Sequence, residues 1–545
     1  MSPPVSVRRY GRHAILIELP DQAAVHRAWG RLMAARRQGL ELLAGVEEVV
    51  AGARTILVVR GPDASPDPAS CPDPVSWSDR LGQWMVDSLA TGPDHEPGAA
   101  GRDIEIPVVY DGPDLEEVGR LTGLSVADVA SRHAGAVWTV GFLGFGPGFA
   151  YLGGGDPALA VPRRSDPRPA VPAGAVGLAA GMSAVYPAEM PGGWQLIGRT
   201  EAVLFDPARD PPALLAPGDR VRFRRVEVLS EPTRPHPSEA TPMAGVGGTS
   251  GVVEVLRPGP GSTVQDLGRV GHAHEGVPRA GAADSASLQA ANAQVGNPAG
   301  AAGLETTVAG PTLRFRTGGL VGVAGADAPV TLDGAAVTAF PVRVPPGSVL
   351  AVGAARRGVR SYVAIAGGVA LTPVLGSRAT DTLSRLGPAP LRAGDILPIG
   401  AVGADDPVPS APSHRVAVPT PLPDGTGPVI LRAVPGPRAD RLARGELDRL
   451  FSVDMAVSPV SDRVGVRTEG LELNLRSRQE LPSEGVVAGA VQVPPGGRPI
   501  VLLANHGTTG GYPVVAVVED GDLAVLAQTR PGSRIRLVRA AGPDF

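Results

Sequence analysis

The stretch VGFLGFGPGFAYLGGG, residues 140–155, combines glycine and aromatic residues more densely than any other part of the sequence. Glycines such as Gly146 and Gly148 allow backbone amides to approach an anion, which requires no charged side chain. No clear helix follows them, so a dinucleotide-binding loop is disfavoured. The stretch predicts a site for substrate or phosphate. Tightly packed turns of a β-barrel are the alternative, and both stay open here.

Basic side chains flank this stretch. Arg163 follows it, Arg199 lies further along in the segment IGRT, and His133 precedes it. Scattered arginines usually belong to the solvated surface, but arginines beside a glycine-rich loop are good ligands for carboxylate or phosphate. We predict that Arg163 and Arg199 bind substrate or phosphate and that His133 takes part in catalysis.

A second polar stretch, residues 263–311, places charged residues between turn signals rather than on a periodic face. Carboxylates suit a hard cation, so Asp284 and Glu305 are predicted to bind a metal. Zinc is disfavoured, because the histidine pair in this stretch is spaced i, i+2 and no cysteine accompanies it. Asp266 and Asp284 are predicted to be catalytic, and Arg269 is predicted to bind substrate or phosphate.

A third cluster comes late in the chain, in SDRVGVRTEG (461–470) and NHGTTGGYP (505–513). Arg463, Thr508 and Thr509 are its candidates for binding substrate or phosphate. A structural role in a β loop is the alternative for these residues. The sequence has no G-x-S-x-G elbow, so a serine hydrolase is disfavoured.

Composition excludes several classes of protein. All 50 basic residues are arginine, so a Schiff-base enzyme, a P-loop NTPase, a biotinylated carrier and a Ser-Ser-Lys amidase lack their lysine. The net charge of -4 gives no electrostatic reason to bind nucleic acid or an anionic membrane. One cysteine, Cys71, excludes an internal disulfide. No 18-residue apolar run or signal-peptide core is evident, which predicts a cytoplasmic location.

Short strands must position these residues, because glycine and proline make up about a quarter of the 545 residues and disfavour helix interiors. The expected fold class is mainly β with α+β parts. Changes in composition divide the chain into a small α/β domain at 1–95, a β unit at 101–228, a linker at 229–250, and further β units at 251–400 and 427–540.

A faint internal repeat joins the β units. The segments PGGWQLIGRT and LLAPGDRVRF, within 191–223, resemble GGYPVVAVV and AQTRPGSRIRL, within 510–537. A third copy consists of SYVAIAGGV and LRAGDILPI, within 361–399. Repeated closed or nearly closed β-barrels explain the pattern, and chance similarity between turn-rich strands is the alternative.

Longer motifs resemble a known pair of protein families. The resemblance to allophanate hydrolase subunit 1, also called the 5-oxoprolinase B subunit, rests on GFLGFGPGFAYLGG, PRRSDPRPAVPAGAVGLA, VYPAEMPGGWQLIGRT and APGDRVRF. The resemblance to its companion, allophanate hydrolase subunit 2 or the 5-oxoprolinase C subunit, rests on VLRPGPGSTVQDLGRVGHAHEGVPRAGAADSASLQ, GADAPVTLDG, LGSRATDT, SDRVGVRTEG and ANHGTTGGYP. The chain is thus identified as a fusion of the two subunits.

This resemblance implies tandem cyclophilin-like β-barrels after a small N-terminal α/β domain, in agreement with the repeat. It also implies ATP-dependent opening of the small molecule 5-oxoproline to L-glutamate, with Mg²⁺ and, as partner, a separate 5-oxoprolinase A subunit. Phosphorylation of the lactam oxygen would create a leaving group, while arginines hold the anionic charge and an acidic residue holds Mg²⁺. Whether the chain forms homo-oligomers stays open.

Two other functions stay open at this point. The carboxyltransferase domain of urea carboxylase is similar to both halves in the opposite order, and would act on urea or a related amide with biotin-dependent partners. Some other relatives are regulatory binding proteins of a sensor histidine kinase. The fusion favours an enzyme component, since joining two subunits fixes their stoichiometry and raises their effective concentration.

Overall fold

The computed structural model describes residues 5–61, 74–91, 101–229, 249–401, 420–423, 425–477, 479 and 481–540. These residues form 33 strands and seven α-helices, which confirms the mainly β fold class. The predicted linker at 229–250 lies almost wholly outside the described residues. None of the described helices combines the length and apolar character that crossing a bilayer requires. We call residues 5–229 the N-terminal half and residues 249–540 the C-terminal half.

The N-terminal half begins with a four-stranded antiparallel sheet of order β1-β2-β4-β3, covered on one face by two helices. The elements are β1 (Ser6–Tyr10), β2 (Ala14–Glu18), α1 (Gln22–Arg37), β3 (Val46–Ala51), β4 (Thr55–Arg60) and α2 (Pro74–Thr91). Asp21 caps α1, and its carboxylate accepts the Ala24 amide at 2.8 Å, as its place before the helix predicts. Alternation along the strands makes both faces of this sheet apolar.

The two faces of this sheet pack against different partners. Ile15 and Ile17 contact the helices, whereas Leu16 and the equally buried Leu57 belong to an apolar cluster that continues into the C-terminal end of the chain. That second cluster includes Val517. The first sheet of the chain is therefore buried between its own helices and the last barrel, which joins the two halves.

The rest of the N-terminal half is a seven-stranded sheet of order β12-β9-β10-β7-β6-β13-β5, with a two-stranded sheet of β11 and β8. The strands that come first and last along the chain, β5 and β13, are neighbours in this sheet and pair in parallel. Its elements are β5 (Asp103–Val108), α3 (Leu115–Thr122), α4 (Val126–Gly135), β6 (Val137–Leu143), β7 (Ala150–Gly153), β8 (Arg168–Val171), β9 (Ala175–Ala179), β10 (Met182–Val185), β11 (Met190–Gly192), β12 (Gln195–Arg199) and β13 (Arg220–Arg225).

The C-terminal half begins with a six-stranded and a five-stranded sheet that enclose one apolar core. The helix α5 packs against two strands of the five-stranded sheet, β18 and β23. The elements are β14 (Thr249–Arg257), β15 (Ser262–Gln265), α5 (Ser285–Gln294), β16 (Gly303–Thr307), β17 (Thr312–Phe315), β18 (Gly319–Asp327), β19 (Val330–Leu332), β20 (Ala335–Val337), β21 (Val342–Val344), β22 (Val349–Val352), β23 (Arg357–Ile365) and β24 (Ile396–Gly400).

The chain ends in a closed barrel of order β25-β32-β29-β30-β27-β26-β33, with a two-stranded sheet of β28 and β31. Its elements are β25 (Val429–Pro435), α6 (Glu446–Leu450), β26 (Met455–Val457), β27 (Gly465–Glu469), β28 (Glu484–Gly485), β29 (Ala490–Gln492), β30 (Ile500–Leu502), β31 (Thr509–Gly510), β32 (Val514–Val518), α7 (Asp520–Ala527) and β33 (Arg534–Arg539). Here β25 and β33 pair in parallel, as β5 and β13 do. Two of the three copies of the sequence repeat therefore share a parallel closing pair, whereas in the third β24 pairs antiparallel with β14.

Candidate functional site

A cavity of about 210 Å³ opens where the two halves of the chain meet, and we call it the junction pocket. Its walls come from loop 145–147 and segment 187–191 of the N-terminal half and from segment 382–386 of the C-terminal half. Pockets for drug-sized ligands span about 300–1,000 Å³, so this one suits a smaller molecule. The lining is largely apolar and includes Phe145, Pro147, Met190, Phe205, Leu383 and Leu386.

The glycine-rich loop lines the pocket, but its amides already have partners. Gly146 donates to the Gly144 carbonyl at 2.7 Å, and Gly148 donates to the Glu275 carbonyl at 2.8 Å. The Phe145 amide donates to the Thr509 hydroxyl at 3.2 Å. An anion bound at Gly146 and Gly148 would have to displace these contacts, which favours the alternative of tightly packed turns. The predicted role of the two glycines in binding substrate or phosphate stays a prediction.

Glycine is required where this loop meets the C-terminal half. A Cβ atom on Gly276 would lie 2.2 Å from the Gly146 carbonyl oxygen, and one on Gly144 would lie 2.1 Å from the Thr509 hydroxyl. Real Cβ atoms essentially never approach other atoms so closely. The absence of side chains at these positions therefore lets the two halves close around the pocket.

Two residues that line the pocket, one from each half, have left-handed backbone conformations. Phe145 has φ 67° and Arg385 has φ 60°. Such values are uncommon for residues other than glycine, and a bulky side chain makes them costly. Backbone strain of this kind concentrates at functional sites, where the surrounding structure maintains it.

The predicted residues Asp266 and Arg269 hold the chain segment 374–387, which carries one wall of the pocket. The Asp266 carboxylate accepts the Ser377 hydroxyl and the Arg378 amide, each at 2.6 Å. The guanidinium group of Arg269, 1% exposed, donates to two backbone carbonyls of the segment at 3.2 and 2.6 Å. Both side chains therefore position the segment, and neither lines the pocket.

A second set of contacts fixes the tip of the same segment. The buried Asp381 carboxylate accepts the amides of Leu383 at 2.9 Å and Ser384 at 3.2 Å. It also accepts the side-chain amide of Asn505 at 3.1 Å, and Asn505 in turn accepts a hydrogen bond from Arg463. The last barrel thus holds the pocket wall, and Arg463 contributes through Asn505 rather than by facing the pocket.

Glu305 and Asp284, the predicted metal ligands, lie in a buried polar network. Glu305 forms ion pairs with Arg463 and, at 3.4 Å, with Arg360, and accepts the Tyr362 hydroxyl at 2.9 Å. Burial raises the pKa of Glu305, but the charges of the two arginines outweigh it and lower the pKa below its ordinary value. The carboxylate is therefore charged and already neutralised by protein cations.

Asp284 is fully buried and serves as the cap of α5. Its carboxylate accepts the Ser287 amide at 3.0 Å, the Ser287 hydroxyl at 2.6 Å, and side chains of Thr420 and Gln528 at 2.9 Å each. A divalent cation does not fit between Asp284 and Glu305, since arginines occupy the position beside Glu305. Within the described part of the chain, no group of three or more His, Cys, Asp or Glu side chains converges as metal ligands would.

His133 is a fully buried core residue. Its Nδ1 and Nε2 atoms lie 2.8 Å from the hydroxyls of Tyr110 and Ser183, and its ring stacks on Phe223 at 4.4 Å. Burial lowers the pKa of His133 to about 3. The imidazole is therefore neutral and both of its nitrogens are engaged, so the predicted catalytic role would require these contacts to break before substrate could reach it.

The remaining candidates occupy different surroundings. Arg199 pairs with Asp111 at 2.8 Å on the surface, and the exposed Arg163 lies near Tyr186. Thr509 accepts the amide of Phe145, as described, and so supports the pocket loop. Thr508 is buried, and its hydroxyl has no hydrogen-bond partner among the described residues. Their predicted roles in binding substrate or phosphate stay predictions.

Sequence reasoning missed two charged residues of the pocket. Glu189 of the N-terminal half and Arg385 of the C-terminal half form an ion pair at 3.3 Å. Glu189 lies in the motif VYPAEMPGG, and Arg385 follows shortly after the motif LGSRATDT. In the sequence, the only sign of their role is that each lies in or near a family motif. The tertiary structure is needed to show that Glu189 and Arg385 are in contact.

Comparisons with known proteins agree with this two-part organisation. Residues 5–215 match the family described as carboxyltransferase domain, subdomain C and D, and residues 275–539 match subdomain A and B. The 5-oxoprolinase B subunit of Escherichia coli O157:H7 is 43% identical over 220 residues, 39% of this chain and 92% of that protein. The 5-oxoprolinase C subunit of Escherichia coli K12 is 36% identical over 294 residues, 53% of this chain and 92% of that protein. The chain belongs to the families of the 5-oxoprolinase B and C subunits, fused in one polypeptide.

This fused organisation also occurs in a solved structure. The crystal structure of TTHA0988 covers 98% of this chain and 100% of its own, with 34% identity and a TM-score of 0.82. Urea amidolyase of Saccharomyces cerevisiae is more distant, at 29% identity over 52% of this chain and only 16% of that protein. The fusion of B-type and C-type subunits therefore places the junction pocket between two subunits that its relatives have as separate proteins.

Proposed function

We propose that this chain is the fused B and C component of an ATP-dependent 5-oxoprolinase, which opens the lactam of 5-oxoproline to give L-glutamate together with a separate A-type subunit. The observation that carries the proposal is the junction pocket, which both halves build. A site shared between B-type and C-type subunits gives a physical reason for both to be needed. Relatives of both kinds, named as 5-oxoprolinase subunits, support the same substrate.

The size and lining of the junction pocket suit this substrate. A five-membered lactam has an apolar edge, which the lining side chains Phe145, Met190 and Leu383 would cover. Thr382 provides a hydroxyl at the same wall, and its oxygen accepts a hydrogen bond from Asn505 at 3.2 Å, whereas the Ser384 hydroxyl already donates to Asp381. The hydroxyl hydrogen of Thr382 can therefore be donated to a ligand such as the lactam carbonyl.

ATP and Mg²⁺ belong to the proposal through the family resemblance. A nucleoside triphosphate exceeds the junction pocket in its present form, and Mg²⁺ does not fit between Asp284 and Glu305. Neither group is therefore assigned to these residues. In the net reaction, one lactam bond and one phosphoanhydride bond are hydrolysed with two waters, which yields glutamate, ADP and phosphate.

The A-type 5-oxoprolinase subunit is the proposed partner, because the relatives of this chain carry only the B and C parts of the enzyme's name. A carboxyltransferase acting on urea is the second candidate, and the urea amidolyase relatives favour it less because they share only a small part of their length. That function would require a separate biotinylated carrier, since this chain has no lysine to biotinylate. The cytoplasmic location stays a prediction.

The test is a reconstitution with purified proteins. The full chain is incubated with ATP, Mg²⁺ and 5-oxoproline, with and without an A-type subunit from a homologous enzyme that is active with its own B and C subunits. ADP and glutamate should form in equal amounts, and only in the complete mixture. If a well-folded chain produces neither with that competent partner, the proposal fails, and carboxyl transfer from biotin becomes the function to test.

A further inference from the structure

Of the described residues that line the junction pocket, only Glu189 and Arg385 are charged. Their single contact, from Arg385 Nη2 to Glu189 Oε1, measures 3.3 Å, and each side chain is 51% exposed. Within the described part of the chain neither has another hydrogen bond or ion pair. Exposed pairs of this kind contribute little to stability. The contact is thus weak enough to be exchanged for a ligand.

The backbone presents Arg385 at a fixed position. The segment on which it lies is held by Asp381, whose carboxylate accepts the amides of Leu383 and Ser384, and Arg385 itself adopts φ 60°. Because only one of its guanidinium nitrogens contacts Glu189, the planar fork keeps donors free for a second carboxylate. A rigidly held cation beside an apolar pocket is a common arrangement for binding a small organic anion.

We propose that Arg385 binds the carboxylate of the substrate and that Glu189 occupies Arg385 in its absence, so that the substrate displaces an internal competitor. This inference rests on the proposed function, because 5-oxoproline supplies a carboxylate beside its lactam ring. The two residues come from different halves, so occupation of Arg385 by substrate would also release a contact between the halves. Arg385 is thus a binding residue, and Glu189 sets the affinity.

The two residues should have opposite effects on affinity, which a merely structural ion pair would not show. Isothermal titration of the full chain with 5-oxoproline should give a Kd on the order of ten- to a hundredfold higher for Arg385→Gln, since a charge-assisted contact is lost. Glu189→Gln should lower the Kd about two- to fivefold, since it removes the competing carboxylate. In the double variant the gain from Glu189→Gln should disappear, because it acts only through Arg385.

A matched pair on the last barrel provides the control. Arg498 and Glu472 lie 3.0 Å apart with side chains 63% and 65% exposed. Arg498→Gln and Glu472→Gln should leave the Kd unchanged. Pyrrolidin-2-one, which keeps the lactam ring but lacks the carboxylate, should bind wild type and Arg385→Gln equally weakly.

The outcomes separate this inference from the proposed function. If the wild type forms glutamate with the A-type partner while Arg385→Gln leaves the Kd unchanged, the inference alone is overturned. If Glu189→Gln weakens binding as much as Arg385→Gln does, the pair is a structural contact and the inference is likewise wrong. If the wild type neither binds 5-oxoproline nor forms glutamate, the proposed function fails and the inference fails with it.

Discussion

Ion pairs join the halves of this chain at several places, and two of these clusters differ in burial and in the number of partners. At the interface between the first sheet and the last barrel, Arg438 contacts both Glu484 and Glu18, and its side chain is 7% exposed. At the junction pocket, Arg385 contacts Glu189 alone, and both side chains are half exposed. The residue types are the same in the two places.

The difference separates a structural contact from a binding contact. The side chain of Arg438 is almost fully buried, and all three of its guanidinium nitrogens donate to the two carboxylates, so a ligand could reach it only by opening the interface. Arg385 stays hydrated, retains free N–H donors and lies beside the apolar lining of the junction pocket. The same chemistry therefore holds the fold in one region and stays available for exchange in the other.

The largest effect should come from breaking the buried cluster. Arg438→Ala leaves the buried Glu484 without its partner, whereas Glu18 keeps Arg8 and Ser6, and the change should lower the free energy of unfolding by about 3–5 kcal/mol. Urea denaturation followed by tryptophan fluorescence measures this. Arg385→Ala and the exposed Arg498→Ala should each change it by less than about 1 kcal/mol. Equal destabilisation by Arg438→Ala and Arg385→Ala would remove the distinction between the two clusters.

The next effect concerns His133, whose low pKa links stability to pH. Its folded-state pKa of about 3 lies below the unfolded value of 6.5, so its contribution is fully present above pH 6.5 and is lost as the pH falls toward 3. At pH 5 this loss amounts to about 2 kcal/mol. The difference between the urea midpoints at pH 7.5 and pH 5 should therefore be smaller for His133→Asn than for the wild type.

The exposed His13 supplies the control for that experiment. Its side chain is 41% exposed, beside Asp520. His13→Asn should keep the acid sensitivity of the wild type, because the imidazole that it removes is in contact with solvent in the folded protein. If His133→Asn shows the same pH dependence as wild type, burial of this imidazole is not what weakens the protein in acid.

The contrast between regions also marks what the sequence can predict. The capping of α1 by Asp21 can be predicted from the sequence, because the capping residue and the helical spacing of apolar residues both lie within a short stretch of the chain. The sequence predicts His133 and Asp266 to be catalytic residues. Their hydrogen-bond partners Ser183 and Ser377 are 50 and 111 residues away along the chain. Tertiary contacts decide whether the hydrogen-bonding groups of such a residue are already engaged within the protein, and no local sequence pattern encodes those contacts.

The same reasoning explains why the sequence does not reveal the pocket. Glu189 and Arg385 are 196 residues apart and lie in different halves. Neither belongs to a periodic pattern that would set it apart from the other charged residues of the surface. The glycine-rich loop is conspicuous in the sequence, yet its role is steric, because its glycines permit the close contact that shapes the pocket.

A smaller effect should follow from a methyl group at that close contact. Gly276→Ala places a Cβ atom against the Gly146 carbonyl, so the loop must move and the pocket should open. The KM for 5-oxoproline in the reconstituted reaction should rise by about tenfold, corresponding to about 1.4 kcal/mol.

Gly271→Ala is the matched control for this substitution. Gly271 has φ +91° and Gly276 has φ +79°, so both variants carry backbone strain, but a Cβ atom on Gly271 meets no other atom within 4 Å. Only Gly276→Ala should therefore change the KM strongly. Equal changes in the two variants would assign the effect to strain rather than to the contact between halves.

The smallest effect expected concerns Thr509, whose hydroxyl holds the pocket loop from the last barrel. Thr509→Val keeps the shape of the side chain but leaves the Phe145 amide without its acceptor, 3.2 Å away in the wild type. A neutral hydrogen bond contributes about 0.5–1.5 kcal/mol, so the KM should rise about two- to tenfold. Thr509→Ser restores the acceptor and should restore the KM. If the serine variant behaves like the valine variant, the methyl group rather than the hydroxyl positions the loop, and the contact between the halves is one of packing alone.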